Sequence, residues 1–121
     1  MKIAVPTMDD GGLDKDISPH FGRCSTFTIY DLKNDETNII PNNSKHKGGK
    51  GNPPELLAKE NVDVLICKNL GRKAVTLFNN LGMEVYSGAQ GKAKEGIDSW
   101  KNNRLTKTSV QDACSEGKRY P

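Results

Sequence analysis

The sequence predicts an α/β domain: a mixed five-stranded sheet with helices on both faces. Three observations carry this. Beyond residue 62, short apolar runs alternate with segments whose apolar residues recur at a 3.6-residue period, as strands joined by helical crossovers do. Before residue 42, apolar residues instead alternate in twos and are broken by turn residues, as in a hairpin. The two junctions Lys68–Gly71 and Ser87–Gly91 are short and carry glycine, the composition of a tight strand-to-helix turn.

Taken in order, Lys2–Val5 reads as a short strand ended by Pro6. Met8–Pro19 is a loop, with Asp9-Asp10-Gly11-Gly12 as turn chemistry. Thr26–Leu32 and Thr37–Ile40 form a hairpin about Asn34-Asp35, stopped by Pro41. Asn42–Asn52 is polar and Gly-rich, without the Gly-Lys-Ser/Thr of a phosphate-binding loop. Asn52 and Pro53 then supply an N-cap and a first helical residue for a helix over Pro53–Asn61. Val62–Cys67 is apolar on both faces except for Asp63, as a buried parallel strand is. In Arg72–Leu81 the residues Ala74, Leu77, Phe78 and Leu81 fall on one helical face, and Gly82 ends the helix. Met83–Tyr86 is the fifth strand, and a helix over Lys92–Asn102 aligns Ala93, Ile97 and Trp100. The stretch Thr106–Pro121 has no apolar period and reads as a tail. The expected organisation is one domain over residues 1–105 and a tail over 106–121.

Composition narrows the function classes. The 121 residues carry a net charge of +3, with both signs interspersed, and few aromatic residues. That is no nucleic-acid footprint, and no apolar run is long enough to cross a membrane. The N-terminus reads as a strand rather than a signal peptide, which leads us to expect a cytoplasmic protein. Three cysteines at wide spacing (Cys24, Cys67, Cys114) do not make a secreted disulfide framework. Asp9, Asp10, Asp14 and Asp16 do not follow the spacing of a calcium loop.

Chemistry concentrates in Ser18-Pro19-His20-Phe21-Gly22-Arg23-Cys24. Imidazole and thiolate are side chains that soft and borderline metals prefer. The plain alternative is a locally bonded His20 and a Cys24 that acts as a small buried hydrophobe. In α/β sheets ligands lie beyond the carboxyl ends of the parallel strands. That edge would collect the His20 loop and the turns carrying Gly71, Gly88 and Gly91. The two turns open helices, so their N–H groups and dipoles would face an anion. A negatively charged, metal-containing ligand suits this combination.

Four motifs, in order, resemble the dinitrogenase iron–molybdenum cofactor family, whose members include NifX-like proteins and the C-terminal region of NifB. They are the run Ser18–Cys24 with its aromatic strand, Gly49–Leu57, Val62–Ala74 and Gly82–Gly91. The likeness spans Lys2–Leu105. It implies a ribonuclease H-like three-layer fold and the binding or shuttling of an iron–sulfur or iron–molybdenum cluster. It further implies that His20 is a ligand. His20, Phe21, Gly22, Arg23, Gly71, Gly88 and Gly91 then line the cluster site, and His20, Cys24, Cys114 and His46 are the candidate metal ligands. The partners expected are the cluster and the proteins that donate and accept it, with no nucleic acid and no membrane. A homodimer bridged by a cluster would supply further ligands.

Two other readings compete with a non-catalytic carrier. A metal-free interaction or regulatory module on the same fold would use the polar loop and the tail as its contact surface. A hydrolase would need clustered carboxylates for paired Mg²⁺; the sheet offers Asp31 after the second strand and Asp63 at the wrong end of its strand, expected not to meet.

Overall fold

The computed structural model describes residues 1–21, 23–42 and 53–108. Gly22, His46 and Cys114 fall outside the described residues, as do Asn52 and most of the expected tail. The strands are β1 (Lys2–Thr7), β2 (Thr26–Asp31), β3 (Glu36–Pro41), β4 (Val64–Ile66), β5 (Glu84–Ser87) and β6 (Thr106–Thr108). The helices are α1 (Pro53–Lys59), α2 (Arg72–Asn80) and α3 (Ala93–Lys101).

The strands form one sheet in the order β3-β2-β1-β4-β5-β6. β1, β4 and β5 run parallel, β2 is antiparallel to both of its neighbours, and β6 is antiparallel to β5. The sheet therefore has six strands and not the expected five. Thr106-Lys107-Thr108 lacks the apolar alternation that marks a strand in sequence, because it is held by ladder bonds and polar side chains. Thr108 pairs with Val85 and shares a 2.6 Å hydroxyl hydrogen bond with Ser87, and Lys107 bridges to Glu84 at 2.9 Å. β6 thus lies at the start of the stretch expected as a tail.

The sheet separates two apolar cores. On one face Ala4, Phe27, Leu65 and Val85 pack against Leu57 of α1 and Phe78 of α2. On the other, Ile3, Val5, Val64 and Ile66 pack against Ala93 and Ile97 of α3. This three-layer arrangement explains why Val64-Leu65-Ile66 is apolar on both sides: alternate side chains feed opposite cores. Among the described residues no helix is long and apolar enough to cross a membrane.

Candidate functional site

The parallel strands end at Thr7, Ile66 and Ser87, and their carboxyl edge is where the His20 loop lies. The loop from Met8 onward does not hang free. It folds back on the turn before α3 and on the first turn of that helix. Ile17 pairs with Thr7 and donates its N–H to the Gly91 carbonyl at 2.9 Å. Ser18 donates to the Pro6 carbonyl at 2.8 Å. The N–H groups of Ala93 and Lys94 donate to the carbonyls of Lys15 and Leu13 at 2.9 and 3.0 Å. Asp14 and Lys94 form an exposed ion pair at 2.9 Å. Hydrogen bonding from the Lys94 ammonium holds the Asp14 carboxyl below the usual carboxylate range.

Three threonines fix the other side of this loop. The buried Thr7 hydroxyl lies 2.7 Å from that of Thr26 and 3.0 Å from that of Thr28, which accepts the Gly12 N–H at 2.8 Å. Gly11 has a φ of 76°, and a Cβ there would meet Ile39 and Thr26 atoms at 2.7 Å. Glycine is required by both the conformation and the space.

On that support the loop presents His20 and Arg23 to solvent. The Ser18 hydroxyl accepts the His20 N–H at 3.3 Å and donates to the His20 carbonyl at 3.2 Å, so a local turn sets the backbone of the histidine. Phe21 points inward. Its ring centre lies 5.4 Å from that of Phe27 and 5.3 Å, edge-on, from that of Phe78. It anchors the loop to the α2-side core.

Cys24 follows the plain alternative in its placement. It is 2 % exposed and belongs to the core with Phe21 and Phe27. The Asn42 side-chain N–H donates to the Cys24 carbonyl at 2.9 Å and lies 3.8 Å from its sulfur. The structure thus separates the two residues: an imidazole in solvent and a thiol in the core. Cys67, at the end of β4, is buried too; its sulfur lies 3.6 Å from the Tyr86 carbonyl, and burial pushes its pKa up to about 12.

The two helix starts differ. In α3 the N–H groups of Ala93 and Lys94 are taken by the loop, and Lys92 donates to the Glu95 carboxylate at 2.8 Å. Gly88 donates to the Lys68 carbonyl at 3.0 Å, and Gly91 offers its carbonyl to Ile17. Gly91 therefore helps to hold the loop, and Gly88 ties the turn before α3 to the turn before α2. The start of α2 is different: Gly71 is exposed, open space surrounds the position of a Cβ there, and the first turn of the helix has no acidic residue. Arg72 and Lys73 are exposed beside it.

Among the described residues no three of His, Cys, Asp and Glu gather as a metal-ion site. Asp31 and Asp63 reach the amino edge on either side of Lys2, but each carboxylate accepts backbone N–H groups: Asp63 that of Lys2, Asp31 those of Lys33 and Asn34. A pocket of about 450 Å³ lies on the α3 side, lined by Leu32, Tyr86, Trp100, Lys101, Asn103 and Leu105. Among the described residues, none of the expected site residues lines it. Sequence reasoning missed the residues that hold the loop, namely Thr7, Thr28, Ile17 and Lys94. Their partners are remote in the chain, and no motif marks them.

The family model described as dinitrogenase iron-molybdenum cofactor matches residues 1–103. An uncharacterized protein of Methanocaldococcus jannaschii, MJ0580, is 35% identical over 112 residues, covering 88% of this chain and 91% of that one. The apo form of the orange protein from Desulfovibrio gigas shares the fold with a TM-score of 0.79 at 22% identity, over 88% of this chain and 92% of the other. The NMR structure of a NifB candidate from Thermotoga gives a TM-score of 0.71 at 27% identity, over 88% and 91% of the two chains.

Proposed function

The chain belongs to the dinitrogenase iron–molybdenum cofactor family, and from that membership we propose that it is a non-catalytic carrier or scaffold for an iron–sulfur or iron–molybdenum cluster. One observation carries the reading. His20 and Arg23 are exposed on a loop that is pinned on both sides, and that loop lies over the carboxyl edge of the parallel strands. A single imidazole does not enclose a bare ion. It does suit a preassembled cluster, which brings its own sulfide ligands and a negative charge. His20 would ligate a metal of that cargo, Arg23 would donate charge-assisted hydrogen bonds to it, and the start of α2 at Gly71 would add a favourable dipole. Phe21 keeps the loop seated. Gly22, His46 and Cys114 remain candidates from the sequence, outside the described residues.

Cys24 enters this reading as a core residue first, and as a ligand only through opening of the loop. The strand order, with β2 reversed between β3 and β1, supports the ribonuclease H-like description of the sheet. A cytoplasmic location, donor and acceptor proteins for the cluster, and pairing of two copies so that two His20 side chains meet one cluster belong to the same proposal.

The test is anaerobic reconstitution with ferrous iron and sulfide, desalting, and measurement of bound iron and visible absorbance. His20→Ala should retain at least about tenfold less iron, as loss of a ligand-shell group does. Arg23→Gln should weaken retention more at low salt than at high salt. Cys24→Ala should lower stability more than it lowers iron content. Unchanged absorbance in His20→Ala sinks the ligand assignment. Wild-type protein that holds no iron would favour the metal-free interaction module.

A further inference from the structure

We propose that Gly96 is a positioning residue for the His20 loop, acting through Ile17. Gly96 is buried in the middle of α3, where glycine is among the poorest helix formers. Its place there needs a reason, and the space around it supplies one. A Cβ at Gly96 would lie 2.9 Å from Cδ1 of Ile17, and 3.4 Å from both Cβ of Ala89 and Cγ2 of Ile66. Carbon atoms do not approach to 2.9 Å without something giving way.

What gives way is constrained. Ile17 is fully buried, with Val64, Ile66, Ala93 and Ile97 in the same core. Cδ1 is the tip of that side chain and has no solvent to turn into, so whatever it does not absorb by rotating within the core is passed to the backbone that carries Ile17. That backbone is three residues before His20. It is registered by the hydrogen bonds from Ile17 to Gly91 and from Ser18 to Pro6, and Ser18 in turn bonds both backbone groups of His20. The first turn of α3 holds the loop from the other end, through Ala93 and Lys94. One helix therefore grips the loop twice, by backbone at its start and by close packing at Gly96. The separation between α3 and Ile17 sets where His20 stands on the rim. The importance of that placement for cargo rests on the carrier reading above; the mechanical coupling does not.

The experiment compares wild type with Gly96→Ala, Ile17→Val and the double variant. Ile17→Val removes Cδ1, the atom in the clash. Amide exchange at Ile17 and Ser18 and the imidazole resonances of His20 are recorded by NMR without any ligand. Iron retained after reconstitution with iron and sulfide is measured separately. Gly96→Ala should speed exchange at Ile17 and Ser18 by about tenfold or more, shift the His20 resonances, and lower iron retention. Adding Ile17→Val should restore all three towards wild type. Should Gly96→Ala fail to fold, recovery of folding in the double variant supports the same coupling, and failure to recover overturns it. Unchanged exchange and resonances in Gly96→Ala overturn the proposal, as does a perturbation that Ile17→Val leaves uncorrected. A coupling seen by NMR in a protein whose iron uptake ignores His20 would leave the proposal standing and remove His20 as a ligand.

Discussion

His20 and Cys24 are four positions apart, yet one is in solvent and the other is in the core. Phe21 lies between them in sequence and shares the core of Cys24: its ring packs against Phe27 and Phe78, and its carbonyl accepts the Cys24 N–H at 3.4 Å. Residue types alone leaned towards the plain alternative, because two candidate ligands do not close a metal site. The packing then places the thiol in the core and the imidazole outside it. Cys67 is a second case. Its burial raises the thiol pKa from 9.0 to about 12, so the unfolded chain gives up this proton before the folded one does. The stability it contributes is present in full below pH 9 and is lost as pH climbs through 9 towards 12. Cys67→Ala should therefore flatten the decline of Tm over that range. In native protein, iodoacetamide should label Cys67 only as fast as the protein opens, a rate that mass spectrometry reads.

At the scale of elements, the segment from Met8 to Pro19 is a strap rather than a plain loop. Its four aspartates suggested a solvated turn, which holds for their exposure, but two of them have defined partners, Lys15 for Asp10 and Lys94 for Asp14. The Asp14–Lys94 pair ties the strap to α3. The lowered pKa of Asp14 means that this tie is present above the usual carboxylate range and is lost as pH falls through the lowered value; the raised pKa of Lys94 keeps the tie intact until pH rises through the lysine range. Asp14→Asn should speed amide exchange at Lys94, whose N–H is bonded to Leu13, near neutral pH and low salt. The difference from wild type should fade in acid and at about 1 M salt, where the screening length is only about 3 Å. The strap and α3 were each readable, one from turn residues and one from apolar period. Their contact was not, since no local pattern records it.

For the whole molecule, the sheet keeps two cores apart, and the rim draws on both. The strap reaches the α3 core through Ile17, and Phe21 reaches the α1–α2 core through Phe78. Phe78→Leu should cost roughly 1 kcal/mol of stability by urea unfolding, since it keeps most of the apolar volume. It should also broaden the His20 resonances, because it removes the edge-on footing of Phe21. Sharp, unshifted resonances would show that the α2-side core does not govern the loop. The sequence by itself determined the alternation of strands and helices, the hairpin and the family, because period, turn residues and short motifs are local properties of the chain. Tertiary structure alone decided that Thr106–Thr108 joins the sheet as a sixth strand, that Cys24 turns inward, and that the first N–H groups of α3 hold the strap instead of facing an anion. Each of these depends on which surfaces meet across long stretches of chain, and a buried group takes whichever partner the packing brings to it.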